Sequence, residues 1–397
     1  MLAEFDRCTG CTACAAVCPK GCITMQPDAD GFCHPVIDES RCVGCGLCEK
    51  VCPVLNPVAL THTPTAWAAW TGDDDSRMAS TSGGVFPELA REILGQGGAV
   101  FGAAYVEHFR VVHICAENEQ ALDRLRGAKY AQSDLTGIFA EVKNRLDAGQ
   151  KVLFSGTPCQ VLGLKAFLRK EYDDLLTADL VCHSVPSPLA WEKYLQYISG
   201  GKELSSVNLR CKDTGWSRYR YSNRFDFSDG SHRMDGSGES LYMKRFVGGY
   251  ITRPSCECCP AKGHARVSDL TLGDFWGIWN SHPELDDDRG VSLVLAQTEK
   301  GLAALARREK QAVSLEEATR ENPAVIRTAA PNPKRPEAMA LVREDRFGEA
   351  QALTLPADPP GKIRRGLRYL KRKLLGRIYY RYENLKKGEQ SGKFLGL

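Results

Sequence analysis

The sequence predicts an α+β protein of more than one domain, in which a small cysteine-rich unit precedes a larger α/β core. Three observations lead to this fold class. Two copies of one cysteine pattern open the 397-residue chain, strand–helix–strand patterns fill its middle, and a basic segment closes it. A chain of this length has room for two or three domains, each with a core of its own.

The two cysteine repeats predict a bacterial-type ferredoxin-like domain over residues 1–60. Each repeat reads Cys-x2-Cys-x2-Cys-x3-Cys-Pro, and every cysteine of the second copy follows its counterpart by 34 residues. In this pattern three thiolates of one loop bind a 4Fe–4S cube, and the fourth binds the other cube. Zinc sites instead use two separated Cys-x2-Cys pairs. We therefore predict two 4Fe–4S clusters, one held by Cys8, Cys11, Cys14 and Cys52 and the other by Cys42, Cys45, Cys48 and Cys18.

The cysteine count and the absence of a leader pattern predict a reducing, cytoplasmic environment. Seventeen is an odd number, and no charged and apolar leader precedes Cys8, so export and disulfide pairing are disfavoured. The uncharged stretch from Val51 to Gly72 contains three prolines. Its composition predicts a linker and not a membrane span.

The middle of the chain predicts one βαβ unit. Lys151–Ser155 is an apolar strand, Gln160–Lys170 has a helical pattern, and Leu175–Cys182 is a second strand. The strands of such a unit are parallel and end at the edge of the sheet where open α/β folds bind ligands. Cys159 and Cys182 are therefore expected at one site.

A third cysteine group, Cys256-Glu-Cys258-Cys259, precedes a strand-like segment, Ser268–Leu272. It could join Cys159 and Cys182 in a third cluster. Spacing alone leaves a second interpretation open, because lone cysteines are often small buried hydrophobic residues.

The segment Ser80–Gly84 is a second candidate site. It precedes a helical pattern, Val85–Leu94, and a strand, Ala99–Tyr105. Unpaired amides at a helix start can bind phosphate, although small residues there also serve as simple caps. The chain has no dinucleotide fingerprint after a strand and no P-loop, so neither a Rossmann nicotinamide site nor a P-loop site is expected.

Five ordered motifs resemble the coenzyme F420 hydrogenase/dehydrogenase beta-subunit family, and the resemblance extends over residues 1 to about 345. The motifs are Gly127-Ala-Lys-Tyr-Ala-Gln-Ser133, Phe154-Ser-Gly-Thr-Pro-Cys-Gln160, Val181-Cys-His-Ser-Val-Pro-Ser-Pro188, Arg253-Pro-Ser-Cys256 and Ser268-Asp-Leu-Thr-Leu-Gly-Asp-Phe-Trp-Gly277.

The resemblance implies an α/β core that binds a flavin and a third 4Fe–4S cluster. Carried over residue by residue, it makes Cys159, Cys182, Cys256 and Cys259 the ligands of that cluster. The neighbouring Cys258 leaves the last ligand open, although Cys-x2-Cys geometry favours Cys259. The flavin, expected to be FAD, would contact Ser82, Gly83, Gly84 and Lys129. Cys22, Cys33, Cys115 and Cys211 match no ligand motif and are expected to be buried or incidental.

The expected function is that of an iron–sulfur flavoprotein oxidoreductase. It would pass electrons between 4Fe–4S clusters and a flavin, and from the flavin to an organic two-electron acceptor such as F420 or another small molecule. A redox partner protein or ferredoxin would exchange electrons with the clusters. The alternative is an electron-transfer subunit that has no substrate of its own and docks to a catalytic partner. The expected domains are residues 1–60, 66–150 and 151–345, followed by a tail over 346–397.

Two basic regions lie outside these motifs. The segment from Gly361 to Leu397 contains twelve Lys and Arg residues but only two Glu residues, and apolar residues recur in it every three or four positions. This tail predicts a helix that packs on its own domain, or binds an anionic membrane or an acidic partner. The other region, Arg210–Arg224, could hold an anionic substrate or form a solvated strand face. Nucleic acid is not expected, because the rest of the chain is acidic and has no recognition module.

Overall fold

A computed structural model describes residues 2–349 of the protein. The predicted amphipathic tail beyond Gly361 lies outside the described residues. Among residues 2–349, no helix has the length and apolar character needed to cross a bilayer.

The N-terminal unit is built from two equivalent halves, as the cysteine repeat predicts. Each three-cysteine loop runs directly into a short helix, α1 (Ala13–Val17) or α2 (Leu47–Lys50). Thr12 and Gly46 precede these helices with φ of 66° and 70°. The loop therefore needs a left-handed residue at the same point of both repeats. An antiparallel hairpin lies between the halves, formed by β1 (Ile23–Pro27) and β2 (Cys33–Ile37).

The core is an α/β unit around one eight-stranded sheet with a separate three-stranded sheet beside it. The remaining strands are β3 (Thr65–Trp70), β4 (Ala99–Tyr105), β5 (Val111–Ala116), β6 (Val152–Gly156), β7 (Leu175–Leu180), β8 (Leu204–Cys211), β9 (Ser222–Phe227), β10 (His232–Gly236), β11 (Leu270–Asp274), β12 (Ser292–Ala296) and β13 (Glu309–Val313). The remaining helices are α3 (Asp74–Ala79), α4 (Val85–Gly95), α5 (Glu119–Leu125), α6 (Ile138–Asp147), α7 (Pro158–Leu168), α8 (Pro188–Ser199), α9 (Leu241–Val247), α10 (Ile278–Ser281), α11 (Glu299–Ala304), α12 (Leu315–Arg320) and α13 (Arg335–Arg343).

The large sheet has the order β13-β3-β12-β11-β7-β6-β4-β5. Its four central strands, β11, β7, β6 and β4, are parallel, and the outer pairs are antiparallel. The predicted βαβ unit is present as β6, α7 and β7. Since these strands are parallel, their carboxyl ends share one edge, and the candidate site residues lie there.

The prediction of a linker from Val51 to Gly72 is wrong for the C-terminal part of this segment. Thr65–Trp70 forms β3, which pairs with both β12 and β13. Ala66, Ala68 and Ala69 are buried in this strand. A strand built from small residues lacks the β-branched and aromatic residues by which strands are usually predicted. Small residues are favoured in β3 because it is closely packed on both faces.

The ferredoxin-like unit shares a hydrophobic core with the α/β unit. Cys11, Ala13 and Val51 are buried in the cluster that fills the space between α6, α7 and one face of the sheet. On the opposite face, α4, α5 and α11 cover the same strands. The predicted boundary after residue 60 therefore divides the sequence but does not separate two independent cores.

Candidate functional site

The first predicted cluster site brings its four cysteines to one small cavity. Cys8, Cys11, Cys14 and Cys52 all line it, although 44 residues of sequence separate the first from the last. Burial raises the pKa of the Cys14 thiol to about 12 and raises that of Cys11 further. Bound iron would offset the cost of burying these thiolates, because it binds the thiolate and supplies positive charge.

The second site contains one cysteine more than expected. Cys18, Cys42, Cys45 and Cys48 line a cavity of about 120 Å³ together with Cys22. Cys42 and Cys45 are exposed, whereas Cys22 is buried. The Sγ atoms of Cys18 and Cys22 are 3.3 Å apart. Cys22 was expected to be buried or incidental, and it is buried, but its place beside the second site was not expected. Only its position four residues after Cys18 could have drawn attention to it.

Both groupings match the cross-ligation that the repeats predict. Cys52 lies with the first loop and Cys18 with the second. No three His, Cys, Asp or Glu side chains within residues 2–349 converge closely enough to hold a single metal ion. The assignment of iron ligands stays a prediction, but the grouping of the thiols is the one that two cubes need.

The third predicted site forms where α7, the end of β7 and the Pro254–Cys258 turn meet. Thr157 begins α7 through a capping box with Gln160, and Pro158 is its first residue. This cap places Cys159 in the first helical turn. Cys182 follows β7, two residues after the strand ends.

The thiols of Cys159, Cys182, Cys256 and Cys259 interact electrostatically with one another. Burial raises the pKa of Cys159 to about 11 and that of Cys256 to about 12. The Val185 amide lies 3.4 Å from Cys256 Sγ, and the Thr157 hydroxyl lies 3.2 Å from Cys159 Sγ. Such donors commonly stabilise cluster sulfurs.

The structure distinguishes the adjacent cysteines Cys258 and Cys259. Cys258 is exposed, and its Sγ faces the Ser255 carbonyl oxygen at 3.8 Å. Cys259 is half-buried and interacts with Cys159, Cys182 and Cys256. These positions support Cys259 as the fourth ligand.

A cavity of about 290 Å³ lies beside the third site, at the carboxyl ends of the parallel strands. Its wall includes Gly156, Thr157 and Val185, which are next to the third cysteine group in sequence or in contact with it. A largely apolar cavity with a few polar groups at this edge is typical of cofactor sites in α/β folds.

His113 brings to this cavity a buried acceptor without a hydrogen-bond partner within residues 2–349. His113 is buried, and its Nε2 lies 2.9 Å from the Ser155 carbonyl oxygen. A carbonyl only accepts hydrogen bonds, so Nε2 donates and Nδ1 remains an acceptor. Among the described residues Nδ1 has no hydrogen-bond partner. Burial lowers the pKa of His113 to about 4, which keeps the ring neutral near pH 7.

Lys129 also lines the cavity and has the contacts expected of an anion-binding residue. Its Nζ donates to the carbonyl oxygens of Arg124 at 2.9 Å and Arg126 at 2.6 Å. An ammonium has three protons, so one remains for a ligand. Partial removal of the amine from water lowers the pKa of Lys129 to about 7.

The three residues of the predicted glycine turn do not contribute equally to the cavity wall. Ser82 and Gly84 line the cavity, and Gly84 begins α4 with φ of 86°. The Gly83 amide donates to Ser292 Oγ at 3.0 Å. A Cβ at Gly83 would lie 2.4 Å from the Ala69 carbonyl oxygen. Gly83 is therefore needed for packing against β3 and β12, and its amide is already used within the protein.

The basic segment Arg210–Arg224 is not a free anion site. Arg210 lines the cavity but makes a bidentate ion pair with Asp274. Lys212 Nζ donates to three backbone carbonyl oxygens. The other three arginines, Arg218, Arg220 and Arg224, all have carboxylate partners.

Two positions that join the sites had no role predicted from the sequence. Arg253 is buried and joins the ferredoxin-like unit to the core. Gly163, in the middle of α7, lies against Cys11. A glycine inside a helix is the one sequence signal that could have indicated this close approach.

Comparison with known proteins supports the interpretation of both regions. Residues 7–56 match the 4Fe-4S dicluster domain. Residues 149–321 match the family described as the C-terminal part of the coenzyme F420 hydrogenase/dehydrogenase beta subunit. No curated protein matches the chain.

Among solved structures, the chain is similar to one chain of the xenon-derivatized F420-reducing NiFe hydrogenase complex from Methanosarcina barkeri. The identity is 14%, the match covers 74% of this chain and 92% of that chain, and the TM-score is 0.45. The two regional matches confirm the predicted family and the predicted dicluster domain. Residues 149–321 thus match the C-terminal part of the coenzyme F420 hydrogenase/dehydrogenase beta subunit, and a 4Fe–4S dicluster domain over residues 7–56 precedes this region.

Proposed function

We propose that the protein is an iron–sulfur flavoprotein oxidoreductase in which three 4Fe–4S sites form a continuous route to a flavin in the 290 Å³ cavity. When bound, the cubes supply one-electron steps and the flavin couples them to two-electron chemistry on an organic acceptor or donor. The protein contributes the order of the sites, the exclusion of water and the charge around the cavity.

The observation that carries this proposal is the position of α7. Cys11 of the first site packs against Gly163 in the middle of this helix, with the nearest Cys11 atom 2.8 Å from an added Cβ. The first turn of the same helix holds Cys159 of the third site. The thiols of Cys11 and Cys159 are close enough to interact electrostatically.

The route has an exposed end and a buried end. Cys42 and Cys45 of the second site are exposed, which suits exchange with a redox partner protein or ferredoxin. The third site adjoins the cavity through Thr157 and Val185. Electrons would therefore pass between the second, first and third sites and then the cavity, in either direction.

Within the cavity, Lys129 and His113 have complementary roles. The Lys129 ammonium would favour an anionic form of the ligand, since no carboxylate of the described residues forms an ion pair with it. The neutral His113 ring would accept a hydrogen bond at Nδ1. Ser82 and Gly84 remain proposed flavin contacts, whereas Gly83 would support the turn from behind.

The test is the cofactor content of the full chain, purified and reconstituted without oxygen. We expect about 12 iron atoms, four in each of three cubes, and one FAD. Cys159→Ser and Cys259→Ser should each lose about four iron atoms. Cys258→Ser is the matched control and should lose none. Eight iron atoms in the unmodified chain, unchanged in Cys159→Ser, would rule out the third cluster.

The flavin site has its own matched pair. Lys129→Met removes a cavity-lining ammonium that donates to two carbonyl oxygens, and it should weaken FAD binding. Lys300 also donates to two carbonyl oxygens, those of Tyr172 and Leu175, at the opposite edge of the sheet. Lys300→Met should leave FAD affinity unchanged. Equal effects of the two changes would refute the proposed site.

The alternative function is an electron-transfer subunit that acts only with a catalytic partner, as the beta-subunit description of the family allows. The two can be separated by mixing the reduced chain with F420, a nicotinamide or a quinone analogue. Oxidation by one of these favours a complete enzyme. No oxidation, with tight binding to a separate catalytic protein, favours the subunit.

A further inference from the structure

Arg253 is a buried cation at the contact between the ferredoxin-like unit and the core. Its side chain is covered almost completely, with 1% of its surface exposed. It precedes Pro254, which holds it in an extended conformation. Its backbone amide donates to the Val185 carbonyl oxygen at 2.9 Å. The residue therefore lies between the two loops that carry Cys182 and Cys256.

The guanidinium connects three separate segments. Nε donates to the Cys8 carbonyl oxygen at 2.8 Å, and one terminal nitrogen donates to Gln132 Oε1 at 2.8 Å. The other terminal nitrogen donates to the Cys33 carbonyl oxygen at 3.0 Å. A Cβ at Gly10 would lie 2.9 Å from the guanidinium, so the glycine lets the first cysteine loop close over it.

The charge of Arg253 has no carboxylate partner within residues 2–349. Its acceptors are two backbone carbonyl oxygens, an amide oxygen and the His34 ring. Burial lowers the pKa of His34 to about 4, so the ring is neutral near pH 7. Burying a cation without a counter-charge is costly, and backbone dipoles repay only part of that cost.

Cluster ligands surround this charge on two sides. Arg253 is bonded to the backbone of Cys8 in the first site, and its charge acts on the thiols of Cys159 and Cys256 in the third. A cube held by four thiolates is anionic overall, and reduction adds one more negative charge. Clusters in these two sites would supply the missing counter-charge.

We infer that Arg253 is a positioning residue that fixes the first and third sites against each other and favours the reduced state of the clusters on both sides. This inference rests on the proposed function only for the presence of those clusters. It assigns a role to a residue that the ligand motifs leave without one.

The test compares Arg253→Gln with Arg253→Lys in the full, cluster-loaded chain. Reduction potentials would be measured by redox titration followed by electron paramagnetic resonance. Arg253→Gln removes the charge, so the potentials of the first and third clusters should fall. A tenfold shift in the reduced-to-oxidised ratio corresponds to about 59 mV for one electron. Arg253→Lys keeps the charge and should shift the potentials less.

Arg245 provides the matched control. It is also fully buried, stacks over a phenylalanine ring and donates to a backbone carbonyl oxygen, but burial and Tyr197 alone shift its pKa. Arg245→Gln should leave the potentials unchanged. Full iron content with unchanged potentials in Arg253→Gln would overturn the inference. So would equal shifts in Arg253→Gln and Arg253→Lys, or an equal shift in Arg245→Gln.

A second variant decides the case in which Arg253→Gln fails to bind iron. Gln132→Glu places a carboxylate 2.8 Å from the guanidinium and offsets its charge while Arg253 stays in place. Lowered potentials support the inference, and unchanged potentials overturn it. Iron content keeps the two proposals apart. If the chain holds eight iron atoms, the third cluster is absent, and the potential of the first cluster still tests Arg253.

Discussion

Replacing Gly163 with alanine tests how closely the first cluster site approaches α7. The new Cβ would lie 2.8 Å from Cys11 Cβ and 2.9 Å from Cys11 Sγ. Carbon atoms pack best at about 3.5–4.0 Å. The helix and the cysteine loop would therefore have to separate by roughly 1 Å, or Cys11 would have to leave its position as a ligand.

The magnitude follows from two opposing terms. Alanine in place of a helical glycine stabilises by about 0.5–1 kcal/mol where space allows. Overpacking a well-filled core destabilises by about 1–3 kcal/mol. The variant should therefore lose about 1 kcal/mol of folding free energy. The Cys11 site should lose iron or change its spectrum, because a bound thiolate cannot rotate away.

Gly95 is the matched control, since it is helical and an added Cβ there would meet no atom within 4 Å. Gly95→Ala should be neutral or stabilising. Anaerobic thermal unfolding followed by circular dichroism would rank the variants, and iron analysis with electron paramagnetic resonance would report on the cluster. A Gly163→Ala protein as stable as Gly95→Ala, with an unchanged cluster signal, would refute the close contact.

Three further predictions concern the remaining sites. Cys18→Ala should keep part of the second cluster, because Cys22 Sγ lies 3.3 Å from Cys18 Sγ and can replace the lost thiolate. The Cys18→Ala/Cys22→Ala double variant should lose about four iron atoms. Equal iron content in the single and double variants would exclude this replacement. FAD affinity should fall as pH rises from 6 to 8, because Lys129 loses its proton near its pKa of about 7, and Lys129→Met should abolish that dependence in fluorescence titrations. Deleting residues 1–60 should destabilise the core, since it removes Cys11 and Val51 from the apolar cluster and exposes the side chains of α6 and α7 that remain in that cluster. A truncated chain that melts like the full protein would contradict this.

The local features of the protein could be predicted well from its sequence. The cysteine spacing grouped Cys52 with the first loop and Cys18 with the second, as the structure places them. The strands and helix around Cys159 were predicted within a few residues. Such features depend on turns, caps and side-chain periodicity over short segments, and these are set by neighbouring residues.

Features that depend on distant parts of the chain were predicted less well. The small residues of β3 resembled a linker, and only the pairing with β12 and β13 makes that segment a strand. The sequence predicts a Gly83 amide that is free to bind phosphate, but this amide donates to Ser292 Oγ on a strand more than 200 residues away. A sequence pattern does not show which partner a buried amide will have.

By itself the sequence determined the cysteine repeats, the βαβ unit and the residue types suited to iron. The tertiary structure decided how the sites are joined. Gly163 and Arg253 owe their roles to the ferredoxin-like unit packing on α7, and the cavity exists because four parallel strands end at one edge. Ligand spacing is a local property of the chain. The approach of one cluster site to the next is fixed by packing between segments far apart in sequence, and the packed core alone determines that distance.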